Sequence, residues 1–404
     1  MAGVTVEQLE WDDLPIGTVD FPRGPLVLKH GIGSGLARDP VEPGVVWAIA
    51  DRGPNMEMDV AAEHYGWPVP HGYDDHSDAK MMPRPDMGPY MARLRIDGAR
   101  ITLLETVRLH GDVGPIPGVP IAGSDSGHEP ALAMDGSELP PEPAGMDTEG
   151  IAALADGTFW VSEEYGPSLV RVDRSGKVLR RLVPRGCTAA EAQDNLPAIA
   201  ARRHLNRGFE GVTVTPSGRR LFVGFQSPLA HPDKQAFEDA RHVRLWELDA
   251  DGQIVAQYLY PLDAPETFRR DGARKKPLKR KNLKICELSA VGERRLLVLE
   301  RGSETCKIYA VELSDADKAP TEHLDIETRP TVEELSGSDG AFPLPVLEKH
   351  LLFSSDDHPE VAADIEGMTF VSDCALLLAS DNDYGVEDKK IGFFRLTFDE
   401  PFTA

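Results

Sequence analysis

Short hydrophobic strands separated by tight turns recur along this chain, and each copy opens with the same polar position. The copies run from Glu149 to Glu164, Glu210 to Gln226, Glu287 to Arg301 and Glu366 to Asn382, with a weaker copy from Ser34 to Arg52. The opening positions lie 61 to 79 residues apart, except for a first interval of 115 residues. A repeat of this length built only from strands is typical of a β-propeller, in which each copy forms one blade around a central axis.

The repeats predict an all-β fold with one β-propeller domain over residues 1–404. Five blades are expected, and six are the alternative because residues 344–353 are also strand-like. The last copy ends after a single outer strand at 391–398, so residues 4–9 are predicted to pair with it and close the ring. Loop insertions rich in Pro, Gly, His and Asp are predicted at 56–89 and 111–145, and a short helical insertion at 188–204.

The chain is strongly acidic, with a formal net charge of −24 and a pI of about 4.9. This charge argues against binding to nucleic acid or anionic membranes, and no apolar stretch has the length of a membrane helix. The expected partner is therefore a small molecule, with a monomer as the default state. No signal-peptide pattern opens the sequence, so we expect either a cytoplasmic protein or an exported one without its signal.

The four cysteines are scattered and lack the spacing of zinc ligands. They are Cys187, Cys286, Cys306 and Cys374. Buried free thiols are the favoured interpretation, and a bridge between Cys286 and Cys306 is the alternative.

Equivalent opening residues of propeller blades lie at one level of the central channel. The sequence therefore predicts a ring formed by Ser34, Glu149, Glu210, Glu287 and Glu366. Four carboxylates at this spacing need a cation or shared protons between them. Because the ring contains neither His nor Cys and offers only oxygen ligands, it favours Ca²⁺. The alternative is that each glutamate binds backbone amides where its strand begins.

A second polar layer follows the second strand of each copy. Its candidate catalytic residues are Asp51, Arg52, Glu163, Glu164, Glu300, Arg301, Asp381 and Asp383. Arginine can bind phosphate oxygens in a forked geometry while a metal neutralises the developing charge. This layer therefore predicts a site for a metal-bound phosphoester, with salt bridges between blades as the alternative.

The long insertions carry histidines that can reach the channel mouth if these loops fold over it. His128 is the candidate general acid or base, with His76 as a second choice. The basic run at 269–284 is interpreted either as an anion-collecting lip or as a solvated loop.

Several phrases together resemble the family known as "esterase-like activity of phytase". They are Ala50-Asp-Arg-Gly-Pro-Asn, Asp147-Thr-Glu-Gly-Ile, Asn206-Arg-Gly-Phe-Glu-Gly-Val, Cys286-Glu-Leu and Asp364-Ile-Glu-Gly-Met. The resemblance covers residues 32–398 and implies a propeller whose acidic residues support phosphoesterase-type activity. The predicted ring is also similar in architecture to the calcium site of calcium-activated apyrases.

These observations lead to one main hypothesis and two alternatives. The main hypothesis is a metal-dependent hydrolase of phosphoesters or related esters with Ca²⁺ in the channel. The first alternative is a binding propeller without enzymatic activity and with a structural metal, because the sequence lacks a Gly-x-Ser-x-Gly nucleophile elbow. The second is a lactonase-type propeller, which also uses channel calcium.

Overall fold

A computed structural model describes residues 3–73, 78–122 and 127–402. The fold is all-β, as predicted, and is built around five groups of four antiparallel strands. The first group contains Gly35–Arg38, Val45–Ile49, Tyr90–Asp97 and Arg100–Arg108. The second contains Thr148–Ala153, Phe159–Glu163, Ser168–Val172 and Val178–Pro184. The third contains Phe209–Val214, Arg220–Phe225, His242–Asp249 and Ile254–Pro261.

The remaining two groups complete the arrangement. The fourth contains Lys284–Ala290, Arg295–Arg301, Cys306–Glu312 and Lys349–Ser354. The fifth contains Ile365–Ser372, Ala375–Ser380, Phe393–Phe398 and the N-terminal strand Val4–Trp11. Val4 pairs with Phe398 and Leu9 with Phe393, which confirms the predicted closure by the N-terminal strand. Lys349–Ser354 lies in the strand-like stretch considered for a sixth blade, and it is the outer strand of the fourth group.

The first strands of the five groups are neighbours in cyclic order, as in a propeller. Glycine makes this close approach feasible. A Cβ atom at Gly150 would lie 2.6 Å from the carbonyl oxygen of Glu210, and one at Gly211 would lie 2.6 Å from the Cα of Glu287. A side chain at either position would therefore push neighbouring first strands apart.

The hydrophobic core lies between adjacent groups. Trp47, Ile151 and Val161 belong to one cluster between the first and second groups. Leu297 and Leu378 belong to another between the fourth and fifth groups. Because neighbouring groups cover both of their faces, the first strands of the second, third and fourth groups are almost continuously buried.

The insertions have more regular structure than predicted. Strands Met56–Glu57 and Lys80–Met81 of the first insertion pair with each other, and Lys80–Met81 also pairs with Ala131–Leu132 of the second insertion. The third insertion, predicted to be helical, contains strand Ala192–Leu196 followed by the 3₁₀-helix Ala198–Arg202. Its strand pairs in parallel with Val178–Pro184, so sheet pairing replaces most of the expected helix.

The other elements are short connections. A small hairpin joins Gly17–Val19 to Leu26–Leu28. The α-helices are Met58–Glu63, Lys234–Asp239, Arg269–Gly272 and Val332–Gly337. Further 3₁₀-helices are Pro265–Thr267, Arg280–Asn282, Asp315–Asp317, Thr321–Leu324, Ser355–Asp357 and Asp383–Asp388. None of the helices in the described ranges has the length and apolar character needed to span a membrane. All four cysteines are free, so the alternative of a Cys286–Cys306 bridge is not realised.

Candidate functional site

A bulge near the start of the first strand fixes which residues are equivalent around the axis. The pairing register shifts at Glu149, at Glu210 with Gly211, at Cys286 and at Glu366. Ser34 precedes Gly35, whose partner Ile49 matches the partners of the glycines in the other groups. The first ring is therefore Ser34, Glu149, Glu210, Cys286 and Glu366. Cys286, and not the predicted Glu287, is the member from the fourth group.

Glu287 occupies the position that is glycine in the other four groups. Its side chain is fully buried, and its two carboxyl oxygens accept hydrogen bonds from the backbone amides of Leu36 at 3.1 Å and Leu288 at 3.0 Å. Burial raises the pKa of Glu287 well above its ordinary value. The structure thus corrects the predicted ring, because Glu287 binds backbone amides of two first strands.

The same register defines a second ring at the end of the second strands. Its members are Asp51, Glu164, Gln226, Arg301 and Asp381. The amide of Glu164 donates to the carbonyl of Asp147, and the amide of Asp381 donates to Asp364 in the same way. We call the ten residues of the two rings the acidic bowl.

Glu163 and Glu300, predicted as catalytic, have other partners. Glu163 accepts hydrogen bonds from the Gly166 amide and from the Ser168 hydroxyl. Glu300 accepts them from the Tyr260 hydroxyl at 2.9 Å and from Lys349. Since successive strand residues point to opposite faces, only one residue of each predicted pair can belong to the bowl. Glu163 therefore lies outside the two rings, although it also accepts a hydrogen bond from the Asp147 amide at 3.2 Å. Glu300 lies in a buried network with Tyr260 and Lys349.

Three carboxylates converge on one side of the bowl. Asp147, Glu149 and Glu164 are buried, and each offers an oxygen within 4.8 Å of those of the other two. Burial raises the pKa of all three, that of Asp147 to about 6, and the neighbouring carboxylates raise the pKa values of Glu149 and Glu164 further. Among the described residues, none donates a hydrogen bond to the Glu149 carboxylate. Arg52 offsets the charge of Asp147, whereas Glu149 has no hydrogen-bond or ion-pair partner among the described residues, so the triad favours bound protons or a cation.

Gln226 connects this triad to the first ring. Its Nε2 donates to Glu164 at 3.1 Å and to Glu210 at 2.9 Å. Gln226 Oε1, Glu210 Oε2 and Ser34 Oγ are buried without a hydrogen-bond partner. Burial, followed by the charge of Glu366, raises the pKa of Glu210 to about 8. Uncommitted oxygen atoms thus extend from the triad toward the axis.

A second cluster with metal-ligand spacing contains Glu210, Cys286 and Glu366. The guanidinium of Arg301 already occupies it. Arg301 Nε donates to Cys286 Sγ at 3.1 Å, its Nη2 donates to Glu366, and its Nη1 donates to Asp364 at 2.9 Å. Arg301 therefore supplies the positive charge in this cluster.

Asp51 and Asp381, from the neighbouring first and fifth groups, form one wall of the bowl, and Asp51 lies next to the triad. Burial raises the pKa of both, Asp147 adds to the effect at Asp51, and Asp383 adds to it at Asp381. At Asp383 burial raises the pKa, but the charge and hydrogen bond of Lys389, together with a hydrogen bond from Asp381, hold it below its ordinary value. This wall therefore contains carboxyl groups that differ in their tendency to hold a proton.

Arg52 is an anchor between the bowl and the second insertion. It is 3% exposed, forms a two-pronged interaction with Glu129, and places its Nε 3.3 Å from Asp147. His128 lies next to Glu129 in the chain, but its side chain is 43% exposed and its Nε2 lies 3.5 Å from Glu138. These contacts connect Glu129, and not the predicted His128, to the site. Asp74, Asp75 and His76 lie outside the described residues.

Two cations near the triad were not among the predicted catalytic residues. Arg207 and Lys284 both counteract the upward shift in the pKa of Glu164. Arg207 donates to the Ser227 hydroxyl at 3.1 Å, whereas Lys284 has no ion pair in the described ranges. The sequence could have indicated both residues, because each lies two or three positions before a first-ring residue. Arg269, at the other end of the basic run, forms an ion pair with Asp357, unlike Lys284.

A family comparison identifies the relatives of this chain. The family described as "Phytase-like: Esterase-like activity of phytase" matches residues 30–384. The chain belongs to this family. The match contains both rings and the Asp147–Glu149–Glu164 triad, and it confirms the resemblance drawn from the sequence.

Individual relatives are more distant. An uncharacterized secreted protein from Arthroderma benhamiae is 29% identical over 154 residues, which is 34% of this chain and 29% of that protein. The match therefore spans under a third of the relative's length. The PQQ-bound aldose sugar dehydrogenase from Streptomyces coelicolor is 12% identical over 98% of this chain and 99% of that chain, with a TM-score of 0.38.

A catalytically inactive virginiamycin B lyase from Staphylococcus aureus with quinupristin is also 12% identical, over 98% of this chain and 100% of that chain, with a TM-score of 0.33. Likenesses at this level carry no inference about activity.

Proposed function

We propose that this protein is a metal-dependent hydrolase of phosphoesters or related esters, with Ca²⁺ bound by the Asp147–Glu149–Glu164 triad. The observation that carries the proposal is the buried set of three carboxylates, one of which accepts no hydrogen bond from a described residue. Membership in the phytase-like family agrees with a hydrolase. The first strands of the five groups would then be the inner strands of five propeller blades.

The donor set of the triad fits a calcium ion. All three groups offer oxygen, which Ca²⁺ prefers over nitrogen or sulfur. The unpartnered Gln226 Oε1 and Glu210 Oε2 are further oxygen donors next to the triad. Cys286 belongs to the cluster held by Arg301, so a soft thiolate ligand is missing from the triad and zinc or copper is disfavoured. A bound cation would relieve the repulsion among the carboxylates and polarise an ester oxygen.

The bowl offers cations for an anionic substrate, although different ones from those predicted. Arg52 and Arg301 each contact two carboxylates, so neither has a free fork for phosphate. Arg207 and Lys284 lie near Glu164 with fewer commitments, and they are the groups we assign to the phosphate oxygens. Asp51 and Asp381 of the first and fifth groups are the carboxyls assigned to accept or donate a proton at the reacting water or leaving group.

A hydrolase of uncharged esters, including lactones, is the second candidate. It is favoured by the full pairing of Arg52 and Arg301, which leaves the predicted phosphate-binding arginines occupied. In this case the triad and its cation would act on a carbonyl oxygen, and Arg207 and Lys284 would contribute little.

The test is a substrate panel measured with Ca²⁺ and with EDTA. The panel contains a phosphomonoester, a phosphodiester, a carboxylic ester and a lactone. We expect Ca²⁺-dependent turnover of a phosphoester, and its loss in Glu149→Gln. Glu105→Gln is the matched control, because Glu105 lies on an outer strand, away from the bowl, and pairs with the half-buried Arg93 and the exposed Arg174. Turnover confined to the carboxylic ester or lactone supports the second candidate, and absence of turnover by calcium-loaded protein on the whole panel refutes both.

A further inference from the structure

The basic run at 269–284 has a charge opposite to that of the chain as a whole. It carries nine arginine and lysine residues and one acidic residue, whereas the whole chain has 43 arginine and lysine residues against 67 acidic ones. Its last residue, Lys284, offsets part of the effect of burial on the pKa of Glu164 in the acidic bowl. The run is therefore a positive segment that ends beside a negative site.

The N-terminal end of the run is fixed beside the second ring. Asp271 is fully buried, and its carboxylate accepts hydrogen bonds from the amides of Ser303 at 2.7 Å and Thr305 at 2.9 Å. These two residues follow closely after Arg301, the second-ring member of the fourth group. Asp271 thus ties this end of the run to the loop that leaves the bowl.

The C-terminal end of the run is fixed beside the second-ring member of the third group. The Leu283 carbonyl accepts a hydrogen bond from the Ser227 hydroxyl at 3.4 Å, and the same hydroxyl accepts one from Arg207 at 3.1 Å. Ser227 directly follows Gln226 of the second ring. Residues 272–282 therefore connect the rim of the bowl at the third group with its rim at the fourth group.

The middle of the run carries exposed cations without acidic partners. Lys275, Lys276 and Lys279 are exposed, and none of them forms an ion pair with another described residue. Lys281 differs, because it pairs with Glu238 at 2.8 Å. Three positive charges at the rim of the bowl are thus left for an anion from solution.

We propose that residues 274–281 form a basic lip through which an anionic ester enters the acidic bowl, and that the lip favours anionic over uncharged substrates. This inference rests on the proposed hydrolase function. The net charge of −24 repels an anion, whereas the lip attracts it along one side of the rim. An anion at the lip would then move inward to Arg207 and Lys284, the groups assigned to the phosphate oxygens.

The attraction should depend strongly on salt, because the lysines are exposed. The Debye length falls from about 30 Å at 0.01 M to about 8 Å at 0.15 M ionic strength. Electrostatic steering raises association rates by about 10- to 10³-fold at low salt. Selection by the lip is therefore a difference in kcat/KM that disappears as salt is added.

Steady-state kinetics of calcium-loaded protein at low and high NaCl test this route. We expect kcat/KM for a phosphoester to fall as NaCl rises, and kcat/KM for a carboxylic ester to change little. Lys276→Glu combined with Lys279→Glu should lower phosphoester kcat/KM by about tenfold at low salt and remove most of its salt dependence. The loss should lie mainly in KM. Glutamine at the same two positions should give an intermediate loss.

Lys177→Glu combined with Lys318→Glu is the matched control, because it reverses the same number of charges. Lys177 lies in the turn after Ser168–Val172, at the end of the strand opposite Glu163. Lys318 follows Cys306–Glu312, whose last residue lies at the end of the sheet opposite Arg301. The control variant should therefore keep the phosphoester kcat/KM of the unaltered protein.

Calorimetric titration of EDTA-treated protein with inorganic pyrophosphate tests the lip without turnover. We expect binding at low salt that is about tenfold weaker in the lip variant and unchanged in the control variant. If no phosphoester is hydrolysed, this titration decides, so failure of the lip and failure of the proposed function are distinguishable. The proposal is overturned by equal values for the lip and control variants in either measurement. It is also overturned by a lack of pyrophosphate binding at low salt, or by an equal loss of kcat/KM with both esters.

Discussion

Replacing Glu287 separates its role as an amide acceptor from that of a metal ligand. In the structure its carboxyl group accepts hydrogen bonds from the buried amides of Leu36 and Leu288, and the Met368 amide lies near enough to lower its pKa. Glu287→Ala would leave three buried donors without their acceptor. Each costs about 1–3 kcal/mol, so we expect a loss of roughly 3–6 kcal/mol of unfolding free energy, after allowing for the removal of a buried carboxyl group.

Glu287→Gln should be milder. The side-chain oxygen of the glutamine can still accept a hydrogen bond from one backbone amide, whereas its NH₂ group would lie against the other amide and could not accept from it. We expect a loss of about 1–3 kcal/mol. Urea unfolding in EDTA measures both values, with Glu105→Gln as the surface control. Calorimetry then compares Ca²⁺ affinity in Glu287→Gln with that of the unaltered protein, and the two should agree within a few fold. Unchanged stability of Glu287→Ala together with lost Ca²⁺ binding in Glu287→Gln would refute this account of Glu287.

Further predictions concern the cations and one buried histidine. Arg301→Gln breaks a buried pair and should cost about 3–5 kcal/mol in urea unfolding; Ca²⁺ should recover part of this loss, and an unchanged midpoint would contradict the assigned role of Arg301. Arg207→Gln and Lys284→Gln should raise the KM for a phosphoester while changing carboxylic ester hydrolysis little, and an equal effect on both substrates would favour a merely structural role. Burial lowers the pKa of His242 from 6.5 to about 4. Since the unfolded chain takes up this proton first, His242 should make stability fall as the pH falls from 6.5 to 4. His242→Gln should flatten that fall in unfolding midpoints measured across this range, and identical pH profiles would contradict the prediction.

The repeat phrase predicted the fold because strands and turns follow local rules. Alternation and turn residues located the hairpins, and the unpaired last strand correctly indicated that residues 4–9 would close the sheet. The position of the bulge in each first strand was harder to predict from the sequence. In the fourth copy the segment Cys286-Glu287-Leu288 lacks the glycine that follows the bulge residue elsewhere. Matching Glu287 with the glutamates of the other copies therefore placed the bulge one residue too late, since it lies at Cys286.

The site was only partly predictable for a related reason. Glu149 and Glu164 were identified from the repeat, whereas Asp147 lies two residues before the repeat position. The phrases Asp147-Thr-Glu-Gly and Asp364-Ile-Glu-Gly carried this signal, since both place an aspartate before the glutamate. Pairing of Arg52 with Glu129 depends on how a long insertion folds back, and strand periodicity contains no information about that contact.

Anomalous diffraction from crystals grown with Ca²⁺ tests the central claim most directly. The account predicts a calcium peak between Asp147, Glu149 and Glu164, with carboxylate oxygens at about 2.3–2.6 Å. The same peak should be missing from crystals of Glu149→Gln. A calcium ion on the axis beside Glu287, or a triad without calcium in fully loaded crystals, would contradict the proposed metal centre.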